Sequence, residues 1–213
     1  MRQAGDGGQV PPSLGLASDY FEQGEGQSLL ARLGQMPGPR SVVALAGAPG
    51  SGKSTLAEAL VARLPGAVLL PMDGFHLDDR VLDARGLRAR KGAPETFDAA
   101  GFVALLGRVR AGGEVVFPIF DRSREIAIAG AGVIAAETRL VVVEGNYLLL
   151  DRDPWRAASY DLTVMLDVPE AELRRRLTAR WQGYGADVEA HLQNDMTNAL
   201  TVIRESRPAD LVV

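Results

Sequence analysis

The sequence predicts a three-layer α/β/α domain built on a mostly parallel, doubly wound sheet, with a small lid region. Three observations carry this. Gly47-Ala48-Pro49-Gly50-Ser51-Gly52-Lys53-Ser54 reads G-x-x-x-x-G-K-S and follows the apolar run 42–46. That pattern between a strand and a helix is the context of a phosphate-binding P-loop. Further short apolar runs at 67–70, 139–144 and 161–167 alternate with helical patterns, the signature of a parallel sheet covered on both faces.

The chain has 213 residues, 46% of them hydrophobic and 23% charged, which suits one large globular domain and leaves little for a second. A net charge of −4 gives no basic footprint for nucleic acid. No apolar run reaches the ~18 residues that a bilayer span needs, and the first residues lack the apolar stretch of a signal peptide. There is no cysteine, so disulfides, thiolate metal sites and cysteine nucleophiles are excluded. The expected setting is the cytoplasm, with neither nucleic acid nor membrane as partner.

Residues 1–25 are expected to form a flexible N-terminal segment, being rich in Gly and polar residues, and residues 26–213 a single domain. A short helix over 27–35 ends at Pro37-Gly38-Pro39. After the P-loop, Leu56, Leu60 and Leu64 share one helical face, and Pro65-Gly66 stops that helix. The next strand delivers Asp73 at its carboxyl end, where ligands sit in open α/β sheets. A long charged stretch over 77–97 reads as a lid or functional loop rather than packing. Asp98 starts a helix over 99–110. An extended run follows over 115–121, and 123–136 alternates as a hairpin around Gly130-Ala131-Gly132. Glu144 closes an apolar strand. Pro169 opens a helix with Leu173, Leu177 and Trp181 inward and Arg174, Arg175, Arg176 and Arg180 outward. A helix over 188–205 and a strand over 209–213 complete the chain.

The P-loop implies a nucleoside triphosphate. Glycines let backbone N–H groups converge on the phosphates, and the helix N-terminus adds partial positive charge. Residues 47–55 (Gly47 to Thr55) are the nucleotide-binding set. Lys53 is expected on the outer phosphates and the Ser54 hydroxyl on Mg2+, with Glu144 as its carboxylate partner. Asp73 is a candidate base for an acceptor hydroxyl; a turn aspartate is the plainer alternative. Arg176 and Arg180, four apart, could both close on a triphosphate, yet Glu172 and Arg176 at the same spacing also describe a solvated face.

These segments together resemble the P-loop kinases that include uridine kinase, phosphoribulokinase and pantothenate kinase. They are nearest the nucleoside/nucleotide kinase-like branch that carries the label fructose transport system kinase. The resemblance spans about residues 40–205 and rests on 47–55, Pro-Met-Asp-Gly-Phe-His-Leu77, Arg-Lys-Gly-Ala-Pro-Glu-Thr-Phe-Asp98 and Pro-Ile-Phe-Asp-Arg-Ser-Arg124. Val143 to Leu150, Arg-Leu-Thr-Ala-Arg180 and Asn-Asp195 continue it. It implies ATP-dependent phosphorylation of a hydroxyl on a small molecule such as a sugar, a nucleoside or a pantothenate-like compound. It implies ATP and Mg2+ as cofactors, Asp73 as base, and Arg176 and Arg180 as lid arginines. Arg90, Lys91 and Phe97 would belong to the acceptor-binding loop, and Phe75, His76, Asp121, Arg124 and Tyr147 would join the acceptor contacts. Where uridine kinases carry a Tyr and a Thr-His-Ser-Arg-like motif, this chain has Phe75-His76 and Asp121-Arg122-Ser123-Arg124, which argues against uridine itself. Relatives are often dimers or tetramers, so a homodimer is among the expectations. The competing reading is a P-loop NTPase or nucleotide-binding regulatory protein with no small-molecule acceptor.

Overall fold

The computed structural model describes residues 20–22, 24–184 and 187–213. Strand β1 (Ser41–Gly47) is buried at every position and lies between β5 (Leu140–Gly145) and β6 (Leu162–Leu166). With β2 (Ala67–Pro71) outside β5 and β7 (Leu211–Val212) outside β6, the sheet order is β2-β5-β1-β6-β7, every pair parallel. Parallel strands need crossovers, and a sheet covered on both faces wants apolar residues at successive positions. Val42, Ala44 and Ala46 enter one core with Phe102, Leu106, Leu173 and Ala199. Val43 and Leu45 enter a second core with Leu29, Leu33, Leu56 and Leu60. The three-layer, mostly parallel architecture expected from the sequence is therefore the one observed.

Helices α1 (Gly24–Gly34) and α2 (Lys53–Arg63) cover the second core. The first core is covered by α4 (Ala99–Ala111), α5 (Glu170–Tyr184) and α6 (Val188–Glu205), while the short α3 (Asp79–Ala84) belongs to the charged loop. Asp98 caps α4 by accepting from the Gly101 N–H at 2.9 Å. Of the segment read as flexible, residues 1–19 lie outside the described residues. Tyr20–Glu22 is helical, and the Phe21 ring is buried in the second core beneath the Arg63 guanidinium.

Two expectations are corrected. The hairpin does not turn at Gly130-Ala131-Gly132; β3 (Val115–Asp121) pairs antiparallel with one continuous β4 (Ile126–Ile134), and the turn is 122–125. Asp121 makes that turn by accepting from the Ser123 N–H at 2.9 Å, the Ser123 hydroxyl at 2.6 Å and the Arg124 N–H at 3.2 Å. Gly132 is small because the Phe117 ring packs where its Cβ would be. Gly130 has φ 71° at the register shift between Phe117 and Ile119, so both glycines serve a bulged strand rather than a turn. The closing strand is also shorter than 209–213.

Candidate active site

At the carboxyl end of β1 the chain leaves the sheet through Ala48 and Pro49 and enters α2 at Lys53. Gly50 (φ 82°) and Gly52 (φ 93°) adopt left-handed backbone that only glycine takes freely. A Cβ on Gly47 would come within 2.6 Å of the Ser51 hydroxyl, so the loop closes on itself too tightly for a side chain there. Ser51 is buried and its N–H donates to the Ala48 carbonyl at 3.1 Å. From α5, Arg176 donates to the Ser51 carbonyl at 3.0 Å and to Glu172 at 2.7 Å. The intrahelical pair with Glu172 is thus present, and the same guanidinium also braces the backbone of the loop. Arg180 is exposed one turn further along.

Parallel register brings the acids to the same place. Glu144 of β5 pairs with Leu45 on one side and Pro71 on the other, so it ends level with the P-loop and with the start of the turn that carries Asp73. Glu144 is buried, and the Ser54 hydroxyl donates to its Oε2 at 3.2 Å. Burial pushes the Glu144 carboxyl up, against the charge of Lys53. Burial also pushes Lys53 down, against the charges of Glu144 and Asp73. The site is thus a cation set among carboxylates, a composition suited to a polyphosphate with a divalent ion. Hydroxyl and carboxylate oxygens side by side are the hard donors that Mg2+ prefers, so Ser54 and Glu144 fit that ion.

Asp73 sits in a 3-10 turn, Met72–Phe75, directly after β2. Its Oδ2 accepts from Arg122 on the β3–β4 turn, and Oδ1 is 4.0 Å from His76 Nε2. The His76 ring lies between Phe97, with centroids 4.0 Å apart, and Phe120, at 4.8 Å. Burial pushes His76 down to about 4, with Asp73 opposing the shift, so the imidazole is neutral near pH 7. Its Nδ1 is buried with no hydrogen-bond partner among the described residues.

The loop over 77–97 packs beside this turn, and the structure sorts the residues expected there. Lys91 lies between Asp79 and Glu125, 2.9 Å from each, with its ammonium above the Phe120 ring. Arg90 does not face the turn: it donates to Asn194 and, at 3.2 Å, to Asn198 of α6, while the Asn194 amide donates to the Lys91 carbonyl at 2.9 Å. Tyr147 is fully buried and its hydroxyl donates to the Gly92 carbonyl at 2.6 Å. Phe75 and Phe97 are buried in an aromatic cluster with Phe102, Tyr147 and Trp155. Arg90, Tyr147, Phe75 and Phe97 are therefore built into the frame behind the expected acceptor surface. Asp121 is occupied in forming its turn, and Arg124 is exposed on it. His76, 4.0 Å from Asp73 Oδ1, and Lys91 remain partly exposed.

Two residues escaped the sequence reading. Arg122, between Asp121 and Arg124, touches Asp73; its place inside a motif already noted was the available signal. Asn198 is buried and holds Arg90, and nothing local in the sequence marks it. Asp195, beside Asn194, accepts from the Trp181 indole at 2.9 Å and joins α6 to α5.

No family model matches the chain. Its fold superposes with TM-score 0.81 on the crystal structure of a "putative fructose transport system kinase" from Silicibacter sp. TM1040, 42% identical, covering 97% of this chain and 100% of that one. A "putative uridine kinase" of Schizosaccharomyces pombe is 34% identical over 194 residues, 82% of this chain and 83% of that protein. A pantothenate kinase of Parvibaculum lavamentivorans is 32% identical over 152 residues, 63% of this chain and 46% of that longer protein.

Proposed function

The chain belongs to the uridine kinase and pantothenate kinase-like P-loop kinases and is an ATP-dependent phosphotransferase with an alcohol acceptor; from that premise we propose the residues that carry the transfer and the kind of molecule that receives it. The acceptor is a small molecule bearing a hydroxyl, of the sugar, nucleoside or pantothenate-like kind, and Asp73 is its base. The observation that supports this reading most directly is the convergence of Lys53, the Ser54–Glu144 contact and Asp73 at three neighbouring strand ends.

In this mechanism the P-loop backbone from Gly47 to Thr55 and the Lys53 ammonium hold the β- and γ-phosphates. Ser54 and Glu144 would hold Mg2+, which supplies charge neutralisation on the phosphate oxygens. The acceptor enters beside His76 and Lys91 and presents its hydroxyl to Asp73. As the acceptor oxygen bonds to the γ-phosphorus, Asp73 takes the hydroxyl proton and the bond from phosphorus to the bridging oxygen breaks, releasing ADP. Lys53 stabilises charge on the departing phosphate oxygens, and Arg180, whose charge acts on Lys53, is the proposed second cation. Arg176 acts one step back, through the loop carbonyls it braces. A cytoplasmic setting, where ATP is abundant, goes with this chemistry.

The test is ADP formation with Mg-ATP across sugars, nucleosides, pantothenate and glycerate, in the native chain and in Asp73→Asn. A single acceptor class should stimulate ADP release, and Asp73→Asn should cut that stimulated rate by about 10²- to 10⁴-fold. Undiminished transfer in the variant would remove Asp73 from the role of base. ADP release indifferent to every acceptor would favour an NTPase.

A further inference from the structure

The β3–β4 turn at 122–125 is fastened to its surroundings at three positions. Phe120, just before it, lies 4.8 Å from the His76 ring and beneath the Lys91 ammonium. Arg122 donates to Oδ2 of Asp73. Glu125, at the end of the turn, accepts from the Lys91 ammonium twice, through Oε2 at 2.9 Å and through its main-chain carbonyl at 3.2 Å. Lys91 also lies 2.9 Å from Asp79 of α3. One ammonium therefore joins the charged loop over 77–97 to the turn whose Arg122 touches Asp73.

The backbone at Glu125 is strained to make this joint. Glu125 has φ 56°, and every other described residue with left-handed backbone is a glycine. An L side chain there crowds its own carbonyl, and only short polar residues such as Asn or Asp ease the crowding. The turn itself does not need this side chain, because Asp121 forms it by accepting from Ser123 and Arg124. Among the described residues the Glu125 carboxylate bonds to Lys91 alone. With Glu125 58% exposed, the pair adds little to stability; what the side chain adds is placement. The other end of the hairpin is fixed separately, where the Pro118 backbone packs on Gly74. We propose that Glu125 is a positioning residue for the transfer. By holding Lys91 it fixes the turn that sets Arg122 against Asp73 and Phe120 against His76, and with them the place where the acceptor hydroxyl meets its base. This rests on the kinase reading above. Strain at an exposed turn residue is then tied to function, as strained backbone at active sites often is.

Two variants of the full chain test this. Glu125→Gly removes the side chain and suits the backbone, while Glu125→Gln keeps an oxygen for Lys91. Lys91 retains Asp79 in both, so neither leaves an unpaired ammonium. The thermal midpoint of Glu125→Gly should stay within about 4 °C of the native chain, because relief of the backbone offsets the lost pair. Hydrogen exchange across 122–126 should quicken by about tenfold in Glu125→Gly and by less in Glu125→Gln. Kinetics use Mg-ATP with whichever sugar, nucleoside, pantothenate or glycerate stimulates ADP release. For that acceptor kcat/KM should fall by about 5- to 50-fold in Glu125→Gly and by only about two- to fivefold in Glu125→Gln, with KM for ATP within about twofold. Should Glu125→Gly unfold early, Glu125→Gln decides by the same split at a native midpoint. Native acceptor kinetics in a folded Glu125→Gly would overturn the proposal and leave the strain without a role. So would unchanged exchange across the turn, or an equal rise in KM for ATP. In each of those cases the kinase reading stands. If ADP release in the native chain ignores every compound, the kinase reading falls and the proposal falls with it.

Discussion

The Tyr147 hydroxyl donates a 2.6 Å hydrogen bond to the carbonyl of Gly92, joining the segment that follows Glu144 to the charged loop over 77–97. Tyr147→Phe keeps the buried ring and removes the donor, leaving a part-buried carbonyl short of a partner. Stability should fall by about 1 kcal/mol. If the bond positions the loop, KM for the acceptor should rise severalfold while KM for ATP is unchanged. Urea unfolding and steady-state kinetics together check this, and an unchanged acceptor KM would reduce Tyr147 to a packing residue.

Glu144 and Ser54 are expected to act as one Mg2+ site. Glu144→Gln preserves shape and the bond from Ser54 while removing the charge that offsets burial of Lys53. The Mg2+ concentration for half-maximal ADP formation should rise at least about tenfold, with a fall in kcat. Ser54→Ala should move the Mg2+ midpoint the same way by a smaller factor. An unaltered Mg2+ titration in Glu144→Gln would place the ion elsewhere.

His76 makes a pH signature. Burial holds its folded value down to about 4, and the unfolded chain titrates near 6.5. Between those values the unfolded chain binds a proton that the folded one refuses, so stability is present above pH ~6.5 and is lost as pH falls toward 4. The full effect is of the order of 3 kcal/mol. The charges of Asp73, Lys91, Arg122 and Glu125 act on the ring and set the background. Urea midpoints at pH 7 and pH 4.5 should differ clearly more in the native chain than in His76→Gln; equal differences would count against a neutral buried imidazole.

Gly74 seats the hairpin on the turn of Asp73. A Cβ there would lie 2.1 Å from the Pro118 carbonyl oxygen, a backbone atom that cannot step aside alone. Gly74→Ala should cost about 1–3 kcal/mol or more and lower activity by shifting Arg122 and Phe120 away from Asp73. Gly107 is the control: it lies inside α4 with nothing within 4 Å of its Cβ position, so Gly107→Ala should stabilise by about 0.5–1 kcal/mol. Thermal midpoints of the two variants decide it; a harmless Gly74→Ala would mean the hairpin docks loosely.

Much of the sheet was legible because local sequence and burial agree. The run before the P-loop is apolar at every position, and a strand covered on both faces demands that. The hairpin was misplaced for a physical reason. Glycines at 130 and 132 look like turn residues, but one relieves a register shift and the other makes room for Phe117, while the true turn is made by Asp121 through its side chain. Site residues divided along a similar line. Lys53, Ser54, Asp73 and Glu144 are brought together by strand order and register, which the pattern implies. Arg90 and Tyr147 lie in recognisable motifs, yet their partners are 104 and 55 residues away in sequence, and no local spacing tells a scaffold contact from a ligand contact.

The anchoring of Arg90 has a consequence for anyone redesigning this enzyme's choice of acceptor. A single stretch of α6 holds the charged loop through Asn194 and Asn198 and holds α5 through Asp195. Transplanting residues 77–97 alone into a scaffold that lacks these partners would strand Arg90 without its amides and Gly92 without its phenol. A working chimera has to carry three separated segments, the loop, the Tyr147 stretch and the Asn194–Asn198 turn, as one inherited unit.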